Sequence, residues 1–379
     1  MTENKKGNLT EIAGLFLKLG AISFGGPAAH IAMMEDEVVK KRQWISQAHF
    51  LDLIGATNLI PGPNSTEMTM HCGHERAGWA GLIVAGLSFI LPAVLITMGF
   101  AWLYSAYGQL PEVAPFIYGI KPAVIAIILS AVISLGQKAL KNLELGVLGT
   151  ITLVICLFGV NEIVALFSCG VVGILLYFIK SFRKTAPAIS PLLLLQTAGE
   201  EFQISNFKIL LSFLKVGALL YGSGYVLFAF LDAELVSKGL LTRKELIDAV
   251  AVGQFTPGPV LSTATFIGWQ LGGFWGALAA TIGIFLPSFL FVAMLNPLIP
   301  RLRKSPILSA FLDAVNVASV AVILAVMVEM SRDTLTDWRA ILIAVISFVV
   351  VFYFKKLNSA FIVIGGAMLG YVLTFIPQV

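Results

Sequence analysis

Apolar runs long enough to cross a bilayer follow one another along most of the chain, and polar positions collect between them. A membrane helix needs roughly 20 apolar residues, with about 17 as the practical minimum. On that criterion residues 9–33 form a first apolar segment, and 34–49 form a charged interfacial helix or loop. Residues 50–72 are mixed. Residues 79–103 are uncharged with Pro92 at their middle, and 115–136 carry the single Lys121. Two short spans, 145–160 and 163–179, follow. Then "KSFRKTAPAISP" and "GEEFQISNFK" mark a polar stretch.

After that stretch the pattern returns. Residues 209–231, 269–299 and 308–329 match 12–34, 74–104 and 113–134, and two short spans close the chain at 340–354 and 359–376. Landmarks agree in order: "FLKLGA" at 16–21 becomes "FLKVGA" at 213–218, and Pro61-Gly62-Pro63 becomes Pro257-Gly258-Pro259. The offset drifts from 197 (Gly25 to Gly222) through 196 (Pro61 to Pro257) to 195 (Leu91 to Leu286), as single deletions would produce. The chain therefore divides into a first repeat at 1–180, a linker at 181–208 and a second repeat at 209–379. The predicted fold is an all-α polytopic membrane protein. Its two homologous, inverted-topology repeats hold about five transmembrane helices each, with broken or re-entrant segments.

Composition strengthens this picture. Of 379 residues, 58% are hydrophobic and 12% charged, against about 25% charged in soluble domains, and the mean hydropathy is +0.91. The net charge of +4 fits basic cytoplasmic loops rather than nucleic-acid binding. Cys72, Cys156 and Cys169 form neither a disulfide framework nor a zinc spacing. The start "MTENKKGNLTE" lacks a removable signal, so the first apolar segment is expected to act as an uncleaved anchor.

Proline and glycine interrupt each repeat twice. The first repeat has Ser23-Phe24-Gly25-Gly26-Pro27 and then Pro61-Gly62-Pro63-Asn64-Ser65-Thr66; the second has Gly222-Ser223-Gly224 and Pro257-Gly258-Pro259. Broken backbone is tolerated at membrane depth only where protein or a watery cavity covers it. Transporters use such breaks to aim half-helix ends at a substrate. Asn64 and Glu67 have capping-box spacing, and Ser262 or Thr263 would cap the matching helix. Each N-terminus behaves like about half a positive charge, so four converging ends would suit a dianion. As single features, such breaks are also ordinary kinks or close-packing points.

The remaining polar residues leave alternatives open. Lys18 and Lys215 either add charge to an anion site or snorkel to the interface. Asp52, Asp248 and Glu67 either couple protons or cap helices and pair with lysines. Asn58 and Gln254 precede the PGP triplets and either donate to a ligand or tie down the loop. "HCGHE" at 71–75 reads as a polar turn, and a membrane-embedded enzyme using Glu67, His71 and His74 is the alternative from another class. No P-loop motif occurs, so ATP is not expected as the energy source. No cofactor or metal is expected.

"FLKLGAISFGGPAAHIAMMEDEVV", "FLDLIGATNLIPGPNSTEMTMHCGHERAGWAGLIVAGLSFILPA" and "AVGQFTPGPVLSTATFIG" closely resemble the chromate ion transporter family in its long, two-domain form, over nearly the whole chain. The resemblance implies a multi-pass exporter of chromate in the bacterial inner membrane, conferring chromate resistance, with sulfate as the related oxyanion. It implies two domains of opposite orientation and site residues at Gly25, Gly26 and Pro27, Pro61 through Thr66, Gly222, Gly224, and Pro257 through Pro259. Ser223-Gly224 stands where the first repeat has Gly26-Pro27, and "NSTE" becomes "VLST", so the first repeat is expected to grip the ligand harder. A homodimer is compatible but not required. Five crossings from a cytoplasmic amino terminus would put the linker outside, whereas Lys180, Arg183 and Lys184 place it inside.

Overall fold

The computed structural model describes residues 9–24, 26–57, 60–108, 110, 112–181, 205–221, 224–295, 305–354 and 357–375. All regular elements among them are helices. The first repeat comprises α1 (Leu9–Ile22), α2 (Gly26–Met34) with a π-helical turn (Glu35–Lys41), α3 (Gln47–Thr57), α4 (Asn64–Tyr107), α5 (Ala114–Ala139), α6 (Leu143–Leu157) and α7 (Glu162–Ser181). The second repeats this order: α8 (Asn206–Leu219), α9 (Val226–Leu231) with a π-helical turn (Asp232–Val236), α10 (Arg243–Phe255), α11 (Thr263–Leu295), α12 (Pro306–Thr334), α13 (Trp338–Tyr353) and α14 (Ser359–Thr374).

The 44-residue α4 is two arms. Ala77 (φ −146°, ψ 25°) and Gly78 (φ 60°, ψ −147°) reverse the chain, and Gly272 and Gly273 do the same in α11 with φ/ψ of −153°/25° and 59°/−149°. Gly78 and Gly273 have the positive φ that only glycine adopts cheaply. A methyl on Gly73 would overlap the carbonyl of Gly81, and one on Gly268 that of Gly276. Residues eight apart in one straight helix stand about 12 Å apart, so these pairs meet only if the arms fold back. Thr265 and Thr281 share a 2.8 Å hydrogen bond for the same reason.

Two broken hairpins precede each long arm. Glu11, near the start of α1, takes a hydrogen bond from Arg42, just beyond the π turn. Ser23, at the other end, lies against Met33. α1 and α2 are thus antiparallel, with the Ser23–Pro27 break at their tip. His49 at the start of α3 lies 3.2 Å from Glu75 near the end of the first arm of α4, so this pair also forms a hairpin, with Pro61–Pro63 at its tip. The expected five crossings per half resolve into two such hairpins and four helices that run from end to end: the second arm of α4, then α5, α6 and α7, with α11–α14 equivalent.

The repeats run in opposite directions. Ser105, at the far end of α4, meets Gln270 at the entry end of the second repeat. Lys141, back at the entry end of the first repeat, pairs with Asp313 at the far end of the second. Gly173, past the middle of α7, packs against Ala310 and Ala314, and the helix runs on toward the end bearing Lys141, whereas α8 starts beside Gly272 at the opposite end. The first repeat therefore finishes at one end and the second begins at the other, which accommodates an even number of crossings. Most of that linker, 182–204, lies outside the described residues, as do Arg301, Arg303 and Lys304.

The packing is interlaced. α5 packs against α13 and α14, and α12 against α6 and α7. Glycines allow the close approach: Gly119 faces Gly366 and Gly370, and Gly170 and Gly173 face Phe311 and Ala314. Outward, Leu87, Leu91 and Leu95 form an exposed apolar stripe on α4, as befits a lipid-facing surface. Five helices among the described residues are long and apolar enough to cross a membrane.

Gly119→Val would drive its side chain into the backbone of α14. We expect a loss of about 1–3 kcal/mol or more, read as a lowered melting temperature in detergent. Gly99→Ala, whose methyl meets nothing within 4 Å, should leave the melt unchanged or slightly raised.

Candidate functional site

The tips of the broken hairpins meet between the repeats. The Gly62 N–H of the first PGP turn donates to the Leu220 carbonyl at the end of α8 (2.7 Å), and the Gly258 N–H of the second donates to the Ser23 carbonyl at the end of α1 (2.7 Å). Leu220 and Ser23 occupy equivalent positions, so each PGP turn caps the break of the other repeat. Both α1 and α8 reach these tips because a small residue lies against a carbonyl: Gly20 against Phe89, and Gly217 against Ile284.

Pro61, Gly62, Pro63, Pro257, Gly258 and Pro259 are all buried. Gly62 has φ +143°, and a methyl there would overlap Glu67 Oε1 and the Ser288 hydroxyl. Gly258 has φ +87°, and a methyl there would come within 2.9 Å of the Ala93 methyl and 3.0 Å of the Gly20 carbonyl. The same backbone device thus faces different chemistry. Against Gly62 lie Glu67 and Ser288, with Thr66 beside Glu67 in the chain, and among the described residues the side-chain oxygens of all three are buried and make no hydrogen bond. Around Gly258 the corresponding groups are Ser262, which shares a 3.2 Å hydrogen bond with Thr97, Thr263, which donates to the Val260 carbonyl, and Ala93. Glu67 is fully buried and Ser65 nearly so. Such buried, unsatisfied polar atoms are rare and mark either strain or a functional site.

Several expected site residues are placed differently. Lys18 and Lys215 do not join the tips. Each keeps an exposed head and pairs with a buried glutamate of its own repeat, Lys18 with Glu37 (3.4 Å) and Lys215 with Glu234 (2.7 Å). Of the two readings open for them, this placement favours the interface. The capping box also does not form: α4 starts after Pro63 with no side-chain cap, and the 3₁₀ turn at Val260–Ser262 starts after Pro259 in the same way. The proline rings, with φ of −80° and −68° at those caps, set the turn instead.

Gly26 and Pro27 begin α2, with Gly26 at φ +80° and open space around it. A methyl on Gly224 would lie 3.7 Å from the Val260 side chain at the second turn. Gln254 is buried, and its carbonyl accepts a hydrogen bond from Ser359. Gly25, Asn58, Gly222 and Ser223 lie outside the described residues. Asp52 lies on α3.

Asp248 is a pairing residue. Its carboxylate lies 2.9 Å from Lys121 Nζ and accepts 2.7 Å from the Tyr104 hydroxyl, both from the first repeat. Sequence reasoning noted Lys121 but gave it no role, although a lone lysine in an apolar run was the available signal. Among the described residues no group of His, Cys, Asp and Glu is placed to hold a metal ion.

The fold and the crossed tips define the class: an all-α polytopic membrane protein of two repeats with interrupted helices meeting between them. Two stretches, residues 10–174 and 207–371, match the chromate transporter family model, and the chain belongs to that family. It is a family of transporters, not of enzymes. The chain is 31% identical to a chromate transport protein of Cupriavidus metallidurans, over 96% of this chain and 93% of that one. It is 32% identical to a probable chromate transport protein of Synechococcus elongatus, over 96% and 95%. It is also 27% identical to an uncharacterized transporter of Methanocaldococcus jannaschii, over 94% and 92%. No solved structure matches.

Gly62→Ala should cost more than Gly26→Ala. Both carry the penalty of positive φ, roughly 1–2 kcal/mol, but only Gly62 would also push on Glu67 and Ser288. Thermal melts of the two variants check this, and equal shifts would remove the packing part of the explanation.

Proposed function

We propose that the protein is a secondary transporter that exports chromate, or a related tetrahedral oxyanion such as sulfate, from the bacterial cytoplasm across the inner membrane, and so confers chromate resistance. The observation that carries this reading is the reciprocal pair of hydrogen bonds from Gly62 to Leu220 and from Gly258 to Ser23. They put two pairs of broken tips from opposed repeats in one place, as alternating access requires. The names of the relatives supply chromate as the cargo to test first. Both repeats sit in one chain, so the site needs no second copy.

The oppositely directed repeats support inverted membrane orientation, with rocking of one repeat against the other releasing the anion. Each unit charge crossing 100 mV is worth about 2.3 kcal/mol, so an exiting dianion gains about 4.6 kcal/mol. At the Gly62 turn a dianion would meet the Glu67 carboxyl. Two like charges are tolerated there only if a proton or another cation accompanies them. We keep Glu67 as the coupling residue on that ground; one proton per dianion still leaves about 2.3 kcal/mol per 100 mV for export. Asp248, held by Lys121, is assigned no proton.

Purified protein in liposomes is expected to carry chromate down an imposed potential, with sulfate competing. Absence of flux for every tetrahedral oxyanion would end this reading. Replacing Pro63 and Asn64 together by alanine should cut the rate at least about tenfold, the effect of losing one positioned backbone contact; wild-type rate and affinity would reduce the PGP turn to a kink. Glu67→Gln is expected to abolish the response of flux to a pH step, and an unchanged response would remove Glu67 from coupling.

A further inference from the structure

His30, in the first turns of α2, is only 1% exposed. Its ring meets the Phe89 ring edge-on, 5.6 Å between centroids. One ring nitrogen is turned toward the Ser23 carbonyl, yet neither nitrogen completes a hydrogen bond among the described residues. Phe89 sets the ring at the second crossed contact: its carbonyl lies against Gly20, and 3.8 Å from where a methyl on Gly258 would stand. Ser23 is the residue whose carbonyl accepts the Gly258 N–H at 2.7 Å. An unused side-chain donor thus stands beside the acceptor of one of the two bonds that tie the repeats together.

Packing does not require a histidine here. The offset of 197 carries His30 onto Leu227, which is fully buried in the second repeat. A buried polar side chain without a partner costs stability that a leucine would keep, and such groups are rare. The same offset carries Ser23 onto Leu220, the acceptor of the Gly62 N–H. The two crossed bonds therefore match in their backbone and differ in one respect: a donor side chain serves the Ser23 hairpin where the Leu220 hairpin has a leucine. Each crossed bond joins the two repeats, so rocking one repeat against the other pulls on both. A carbonyl freed at membrane depth needs a new donor, because there is no water in the hydrocarbon to meet it. Ser23 and His30 belong to one hairpin of the first repeat and travel together, whereas Gly258 leaves with the second.

We propose that His30 is a positioning residue of the transport cycle: its N–H takes over the Ser23 carbonyl when the Gly258 N–H withdraws, so the second PGP turn parts from the first repeat while Gly62 stays on Leu220. The inference rests on the alternating-access reading and adds which of the two crossed contacts opens. His30 needs no change of charge for this, because a neutral imidazole carries one N–H donor.

The first test needs no variant. In hydrogen–deuterium exchange of the purified full chain, the Gly258 amide is expected to exchange about tenfold faster than the Gly62 amide, the scale of one replaced hydrogen bond. His30→Leu, which installs the residue of the second repeat, should bring Gly258 down to the Gly62 level and slow potential-driven chromate flux by about tenfold. Its melting temperature should equal or exceed that of the wild type, since an unpartnered polar group is removed. His30→Asn or His30→Gln, which put an amide N–H near the place of Nδ1 or Nε2, should recover most of the rate. Equal exchange at the two glycines, or wild-type flux in His30→Leu, would overturn the assignment and leave the transporter reading standing. A slow His30→Leu with a lowered melting temperature and no rescue by either amide would overturn it as well, and reduce His30 to a packing role. Absence of oxyanion flux in the wild-type protein would end the transporter reading and this assignment with it, whatever the exchange shows.

Discussion

A helix broken inside an apolar medium leaves carbonyl and amide groups with no water to meet, and each such group costs several kcal/mol. The architecture depends on how that cost is removed. Neither repeat accepts its own PGP glycine amide. The amide of each PGP glycine goes to the carbonyl that ends the first helix of the other repeat. Two short antiparallel hairpins from opposite ends are therefore tied together at their tips. The interlaced packing of α5 with α13 and α14, and of α12 with α6 and α7, holds the repeats in register for this exchange. A repeat by itself would expose both the tips and the glycine faces.

The backbone symmetry is close and the chemical symmetry is not. The two chain reversals agree within 7° in φ at the first residue and 1° at the second. The Lys18–Glu37 and Lys215–Glu234 pairs are also equivalent. At the centre, however, Glu67 stands opposite Thr263, Ser288 opposite Ala93, and Thr97 opposite Val292. Among the described residues, unpartnered polar groups gather at the first PGP turn, and the second is closed by the Thr97–Ser262 hydroxyl pair, the Thr263 bond to the Val260 carbonyl and the Ala93 methyl. The polar tail of "PGPNSTE" thus marked the richer half, although through Thr66 and Glu67 rather than through a cap by Asn64.

What the sequence could reveal was what repetition makes visible. Matched landmarks located the duplication, both breaks in each half and the short terminal spans, because glycine and proline stand out against apolar helices. Chain reversal was harder to see. "RAGWAG" and "LGGFWG" continue the helical composition, and only Gly78 and Gly273 at positive φ separate two arms from one long helix. Lys18 and Lys215 could be read either way, because charge proximity to a break in sequence says nothing about which face of α1 or α8 it occupies. The partner of Asp248 was hidden for a related reason. Lys121 belongs to the other repeat, 127 positions away (248 − 121), and its own equivalent, Asn316, carries no charge, so no repeated pattern announced it.

The mismatched positions bear on direction. In a transporter made of inverted repeats, exchanging the conformations of the two halves converts the state open to one side into the state open to the other. If all side chains matched, the two states would be equal in energy and the protein would show no intrinsic preference. Any preference must then come from residues that break the symmetry, because a difference in population requires a difference in free energy between the states. Among those residues are the Glu67 and Ser288 cluster at the tips and the Lys121–Asp248 pair, whose sequence counterparts are Asn316 and Asp52. Breaking a buried ion pair costs about 3–5 kcal/mol. A single such contact, present at one end only, is large enough to set which side of the protein rests closed.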